Sequence, residues 1–262
     1  QFTQVGNLVY FTAVDPVHGQ ELWVSDGTSA GTRLVKDIFP GPIGTTFFSL
    51  TALNDQLLFS APDPNGAQGL WRSDGTAAGT YPLKSNFSFG PGNLTVFQNA
   101  VYFVAGLENL DRELWTSDGT EAGTQQVKDI FRGRKGSFPA GLCVVGNTLF
   151  FSADDGVHGR ELWKSDGTTE GTVLVADVWP GSRGSDPETL LAVGDLLTFS
   201  ATDPEHGREL WRSDGTETGT QLIVDVNAQP SETPLPDPSS FVGAGAWTYL
   251  VSNKQLWRTD GA

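Results

Sequence analysis

The octapeptide Glu21-Leu22-Trp23-Val24-Ser25-Asp26-Gly27-Thr28 (ELWVSDGT) decides the fold, because it returns along the whole chain. The further copies are GLWRSDGT from Gly69, ELWTSDGT from Glu113, ELWKSDGT from Glu161, ELWRSDGT from Glu209 and QLWRTDGA from Gln255. Their tryptophans, Trp23, Trp71, Trp115, Trp163, Trp211 and Trp257, lie 48, 44, 48, 48 and 46 residues apart. A fixed period of this length marks an architecture in which each repeat is one supersecondary unit.

Outward from the octapeptide, each unit holds four short apolar segments. In the first unit they are residues 2–5, 8–13, 21–25 and 32–38, and in the fourth residues 142–145, 149–153, 161–165 and 172–178. The segments are β-branched and aromatic and are bounded by Gly, Asn, Asp and Pro, the signature of strands. No window carries a 3.6-residue apolar period with caps, so helices are not expected. Residues 8–13 (LVYFTA) are apolar on both faces, as in a sheet covered on both sides.

The expected fold is therefore all-β, a six-bladed β-propeller of four-stranded antiparallel blades. An open solenoid is the structural rival, but solenoids have shorter repeats and distinct capping ends. The expected organisation is one domain over 1–262, with units of approximately 1–46, 47–91, 92–138, 139–186, 187–238 and 239–262. The fourth segment type (TRLVKDI-like) is found once less often than the other three, so the last blade is expected to lack its outer strand within this chain. An unpaired edge invites a strand from a neighbouring chain, and a shortened chain is the alternative explanation. The start at Gln1 and the absence of Met read as a processed or excised segment.

Composition narrows the partners. The 262 residues carry 16 Lys+Arg against 31 Asp+Glu, a net charge of −15. Nucleic acid and anionic lipid are gripped by clustered basic residues, so neither is an expected partner. Much of the acidity recurs in register: the Asp-Gly turns, the ends of the fourth segments, the openings of the second-to-third segment loops and the glutamate of ELW. It reads as turn and strand-edge chemistry copied around a repeat. A single cysteine, Cys143, excludes an internal disulfide and sits in an apolar segment as a small hydrophobe. No apolar run reaches the roughly 20 residues that span a bilayer. The sequons Asn86-Phe87-Ser88 and Asn93-Leu94-Thr95 matter only in a host that glycosylates.

The turn Ser-Asp-Gly-Thr-x-x-Gly-Thr joins the third and fourth segments. It is similar to the Asp-box of sialidase-type propellers, without the following aromatic. It reads either as a ring of calcium or anion sites or as a hairpin capped by its own side chains, and repetition favours the second. The repeated tryptophans likewise read as packing between blades. Trp179 and Trp247 fall outside that pattern, and Trp179 opens the loop Trp179-Pro180-Gly181-Ser182-Arg183-Gly184.

Two loop types carry the candidate sites. The loop between the second and third segments holds all three histidines, His18, His158 and His206, each three residues before a glutamate. With Asp15, Asp154 and Asp203 they suggest a divalent-cation site, Ca²⁺ being the candidate ion, or acid/base chemistry. The competing reading is a turn held by aspartate, with Arg112, Arg160 and Arg208 bridging to neighbouring blades. Loops leaving the fourth segment vary most: 39–44, 87–91, 132–136, 182–186 and a Pro-rich stretch, 227–240. Variation over a rigid scaffold is how binding faces are built. Arg132, Arg134, Lys135 and Arg183 form a basic group in these loops, matched to an anionic glycan or an acidic protein.

The motif ELWxSDGTxxGT resembles the bacterial ELWxxDGT-repeat proteins, found in large secreted or surface proteins. The resemblance runs over the whole chain and departs at Gly69, Gln255 and Ala262. It implies a secreted or cell-surface propeller and transfers no catalytic residue. GxSxG, HExxH and Walker motifs are absent. The expected function is a non-catalytic binding or adhesion module, lectin-like, with a glycan or protein on the loop rim. The alternatives are a structural surface or filament subunit that completes its open blade with a neighbour, and a metal-dependent hydrolase or lyase.

Overall fold

A computed structural model describes residues 2–107, 111–133, 135–225, 239–244, 247–252 and 255–259. These form strands and turns, with no helix among the described residues. Among them no helix is long and apolar enough to cross a membrane.

The first sheet comprises β1 (Phe2–Val5), β2 (Leu8–Asp15), β3 (Gly19–Ser25) and β4 (Arg33–Lys36). The second comprises β5 (Phe48–Leu53), β6 (Gln56–Pro62), β7 (Gln68–Ser73) and β8 (Tyr81–Phe87), and the third β9 (Phe89–Phe97), β10 (Ala100–Gly106), β11 (Glu113–Ser117) and β12 (Gln125–Lys128). The fourth comprises β13 (Ala140–Val145), β14 (Thr148–Asp154), β15 (Arg160–Ser165) and β16 (Val173–Ala176). The fifth comprises β17 (Glu188–Val193), β18 (Leu196–Asp203), β19 (Gly207–Ser213) and β20 (Gln221–Val224). The strands β21 (Ser239–Ala244), β22 (Trp247–Ser252) and β23 (Gln255–Thr259) make a three-stranded sheet. Within each sheet, strands pair with their sequence neighbours in simple antiparallel order.

Each feature has a local cause. Two-residue loops join the first and second strands of a sheet and open on a positive φ, as at Gly6 (56°), Asn54 (52°) and Gly146 (55°). That backbone sign matches the twist of the flanking strands. In the second, fourth and fifth sheets the first strand then carries a bulge: the register slips between Phe48 and Thr51, Ala140 and Cys143, and Glu188 and Leu191. Ser49, Gly141 and Thr189 take positive φ at these slips.

The chain divides into two compact units, one holding the first three sheets and the other the fourth onward. In the first, Val5, Tyr10, Leu22 and Val24 pack with Leu57, Phe59 and Trp71, so the core lies between sheets one and two. Leu58, Leu70 and Phe87 pack with Phe103 and Trp115 in the same way. In the second unit Phe150 and Leu162 meet Leu197, Phe199 and Trp211. Trp71, Trp115 and Trp163 are buried, and Trp71 stacks on Phe59 with ring centres 6.1 Å apart. These three repeated tryptophans are core residues. Burying each aromatic is worth about 2–3 kcal/mol, before any ring-stacking gain.

One expected loop is mostly strand. Residues 87–91 read as a turn, yet β8 runs to Phe87 and β9 starts at Phe89. The cause is Gly69, which stands where the first, third, fourth and fifth sheets carry the ELW glutamate. Without that side chain the ladder continues past Leu70–Lys84 to Gln68–Phe87. A Cβ on Gly69 would lie 3.0 Å from the Lys84 carbonyl, so β8 occupies the glutamate's space.

Candidate functional site

The Ser-Asp-Gly-Thr turn closes on itself. In the fourth sheet, Asp166 Oδ1 accepts the Thr168 amide (2.8 Å) and hydroxyl (2.7 Å), and Thr168 Oγ1 accepts the Gly171 amide (2.9 Å). Ser165 and Thr172 join their hydroxyls at 2.7 Å, closing the hairpin base. The same bonds recur around Asp26, Asp74, Asp118 and Asp214. Hydrogen bonds from the threonine side chains hold Asp26, Asp74, Asp166 and Asp214 below the usual carboxylate range. The carboxylate is committed to its own turn, which accounts for its repetition. The sixth turn begins at Thr259 and lies mostly outside the described residues.

The histidine loops are built alike. Asp15 Oδ1 accepts the amides of Val17 and His18 at 2.8 Å, and Asp15 Oδ2 pairs with His18 Nδ1 at 2.8 Å. Asp155 does the same for Val157 and His158, and Asp203 for Glu205 and His206, each with a 2.7 Å imidazole contact. The aspartate hydrogen bond raises each histidine above its ordinary value and favours the imidazolium. Burial raises the Asp155 carboxyl, but the amides and imidazole of this turn outweigh it and leave the group lowered.

The structure corrects one register. Asp154 was the expected counterpart of Asp15 and Asp203, but Asp155 holds that position; Asp154 Oδ1 instead accepts the Gly156 amide at 2.7 Å. The spacing carried the signal: Asp15 and Asp203 lie six residues before Glu21 and Glu209, and Asp155 lies six before Glu161. Asp15 is in the first unit and Asp154 and Asp203 in the second. Among the described residues no three His, Cys, Asp or Glu side chains gather as a metal site.

A buried glutamate joins this loop to the one leaving the fourth strand. Glu161 is fully buried, and its Oε1 accepts the amides of Trp179 (3.0 Å) and Ser185 (2.9 Å). Its second oxygen accepts the Ser185 hydroxyl. Burial pushes the Glu161 carboxyl up to about 7 against these bonds. Glu21 does the same for Phe39, and burial raises it too. The loops also touch backbone to backbone. Gly159 and Gly184 take φ of 71° and 76°, and a Cβ on Gly159 would lie 2.5 Å from the Gly184 nitrogen. The pair Gly19 and Gly44 repeats this crossing, with 2.3 Å from such a Cβ to the Gly44 nitrogen. Sequence reading missed this clamp, although the glycines at matched positions in both loops were visible.

Around the fourth sheet these parts form one rim. On one side of the loop 154–160, Phe131 and Arg132 face Asp155 and Val157 across a groove of about 490 Å³. On the other, the clamped loop holds Trp179 half-buried, with the exposed Arg183 guanidinium stacked 4.0 Å above its ring centre. Of the expected ligand residues, Arg132, His158, Trp179 and Arg183 thus belong to one set of adjoining loops. His206 lies in the fifth sheet, and His18 and Lys135 lie in the first unit. Arg134 and most of the 227–240 stretch are outside the described residues.

Among the described residues Arg160 and Arg208 bond within their own sheets and not to neighbouring ones as the turn reading expected. Arg160 donates to Ser152 and Ser137, and Arg208 to Ser200 and Asp186, reaching back across their own sheets. Arg208 also pairs with Glu188 at 2.7 Å. Cys143 is half-buried on β13, where burial raises its thiol and weakens it as a nucleophile.

No family model matches the chain, and no curated protein matches it. Solved structures do. The beta-propeller domain of the Trilobed protease from Pyrococcus furiosus, described as having an open velcro topology, is 10% identical with a TM-score of 0.51, over 100% of this chain and 80% of that one. A puromycin hydrolase variant complexed with PGG is 16% identical with a TM-score of 0.52, over 95% of this chain and 42% of that one. The chain thus spans less than half of the hydrolase. Likeness at this identity is one of fold, and it places these four-stranded meanders among β-propeller blades.

Proposed function

We propose that this chain is a non-catalytic binding or adhesion module of a secreted or cell-surface protein. In this reading its sheets are the six blades of one propeller, and a glycan or acidic protein docks on the loop rim. The observation that carries it is the clamp around residues 154–160. Glu161 and the Gly159–Gly184 crossing fix both loops, so Trp179 and Arg183 are presented from a rigid frame, with Arg132 lining the groove beside it. A rigid frame reduces the ordering cost of binding. The stacked Arg183 and Trp179 offer a flat cationic surface suited to a sugar face or a carboxylate.

An immobilised-glycan array and a pull-down at physiological salt test this reading. The wild type should capture a ligand, and Trp179→Ala or Arg132→Ala should weaken capture about tenfold, as removal of a central contact does. A wild type that captures nothing defeats the proposal.

A second reading, a structural surface or filament subunit, rests on β23, which pairs on one edge only among the described residues. A strand from a neighbouring chain would complete that sheet. Sedimentation at rising concentration distinguishes it: a monomer throughout removes this reading.

A further inference from the structure

In the fourth and fifth sheets an arginine fills a space beside the second strand. Arg160 Nη1 donates to Ser152 Oγ at 3.2 Å and Nη2 to the Ser137 carbonyl at 3.4 Å. Arg208 Nη2 donates to Ser200 Oγ and to the Asp186 carbonyl, both at 3.1 Å. The second sheet keeps the serine and loses the arginine. Its strand pairing sets Gln68 opposite Pro62, as Arg160 stands opposite Asp154, and sets Ser60 opposite Phe48, as Ser152 stands opposite Ala140. Ser60 is fully buried, and its Oγ has no hydrogen-bond partner among the described residues. A buried hydroxyl left unmatched costs about 1–3 kcal/mol, so its persistence calls for an explanation.

A pocket of about 470 Å³ opens there, lined by Phe48, Ser60, Gln68, Phe89 and Gly90 among others. The corresponding pocket in the second unit, with Arg160 in its wall, measures about 240 Å³. We propose that the pocket in the second sheet binds a guanidinium cation, supplied by a small molecule or by an arginine side chain of a partner. The same fold has already built this site in the fourth and fifth sheets, with the guanidinium attached to its own chain.

The walls suit that guest. Phe48 and Phe89 are 52% and 39% exposed, and phenyl faces attract cations. Phe89 already carries one guanidinium, that of Arg112, 3.7 Å from its ring centre. Gln68 Oε1 and Ser60 Oγ converge on Gly90, where a Cβ would stand 2.8 and 3.0 Å from them, so a side chain at this position would crowd both oxygens. Two acceptors and a π face match a planar group made of N–H donors. None of the lining residues is charged, and the chain's net charge of −15 draws cations toward it. This site is separate from the rim of the fourth sheet and stands whether or not that rim binds a glycan.

The test is saturation-transfer NMR and calorimetry on the full chain with methylguanidinium, with urea as the uncharged planar control. Methylguanidinium should bind saturably and urea should not. Ser60→Ala should weaken binding about tenfold, the worth of a hydrogen bond to a charged group. Gln68→Arg should abolish binding by filling the pocket with the chain's own guanidinium. Tighter binding of the peptide Gly-Arg-Gly assigns the source to a protein partner; equal affinity assigns it to a small cation. Should Gln68→Arg fail to fold, Arg160→Gln supplies the converse, a lowered Tm partly restored by methylguanidinium and not by urea. No response to methylguanidinium, a response matched by urea or by neutral monosaccharides, or one that survives Gln68→Arg overturns the proposal.

Discussion

Glu161 holds Ser185 by both backbone and side chain, across 24 residues of sequence: one carboxylate oxygen accepts the Ser185 amide and the other its hydroxyl. The first of these oxygens also accepts the Trp179 amide, so one buried carboxylate closes both ends of the loop 179–185. In the first sheet Glu21 binds Phe39, but its Oε2 and Thr45 Oγ1 are both buried without a partner among the described residues, so the equivalent hydroxyl bond is open there. The fourth sheet therefore has the tighter clamp, and it is the one that presents Trp179 and Arg183.

Glu161→Ala should cost about 3 kcal/mol in urea denaturation, because buried amides of Trp179 and Ser185 lose their acceptor. Glu161→Gln keeps one acceptor oxygen and should cost less. The pH dependence has a defined sign. The folded group, at about 7, lies above its unfolded value of 4.5, so the folded state holds the extra proton between them. This contribution is fully present below about pH 4.5 and declines as pH rises to about 7. Glu161→Gln removes that decline, so its cost relative to wild type should be larger at pH 5 than at pH 8. An equal cost at both pH values would show that the carboxyl titrates alike in folded and unfolded chains.

Gly159→Ala should be far more damaging than Gly181→Ala. Both residues have positive φ, 71° and 98°, so each substitution carries a left-handed penalty of about 1–2 kcal/mol. At Gly181 nothing lies within 4 Å of the added Cβ, whereas at Gly159 it would meet the Gly184 nitrogen and Arg183 carbonyl carbon at 2.5 and 2.7 Å. Backbone atoms on both sides cannot yield as a side chain can. Thermal unfolding should give about 3 kcal/mol or more for Gly159→Ala and about half that or less for Gly181→Ala.

The His158 imidazole should titrate above the ordinary 6.5 in a proton NMR series. Asp155→Asn should return it toward that value, because Asp155 Oδ2 is its partner, while Asp154→Asn should leave it nearly unchanged. The stability linked to the pair is fully present below pH 6.5 and is lost as pH rises through the folded value. Swapped effects of the two asparagines would restore the register expected from sequence.

Repetition made part of this molecule legible and hid the rest. The Asp26 turn and the core tryptophans could be read because their reasons are local and recur in each unit. The Glu161 clamp could not, since its partners are backbone amides of Trp179 and Ser185, and a backbone donor leaves no residue type to recognise. The extended β8 was announced by Gly69 in the glutamate position, but only the packing of Lys84 over that glycine says what its absence does. Arg160 and Arg208 were recognised as bridging residues; their direction, back onto Ser152 and Ser200, depends on sheet register. The Ser60 pocket was not legible, because it is a departure from the repeat and needs the sister sheets for comparison.

The turn offers a coupling test of its own closure. A Cβ on Gly171 would lie 2.0 Å from Asp166 Oδ1, and Gly171 is not among the residues with positive φ, so the backbone itself tolerates alanine. Gly171→Ala should cost about 2 kcal/mol by displacing the carboxylate from Thr168. Asp166→Ala should cost about 1 kcal/mol, since the turn is exposed and water replaces the lost acceptor. In the double variant the clash has no carboxylate to act on, so its cost should match Asp166→Ala alone rather than the sum. Thermal unfolding of the two single variants and the double completes the cycle. Strict additivity would mean that Gly171 is required for a reason other than contact with Asp166.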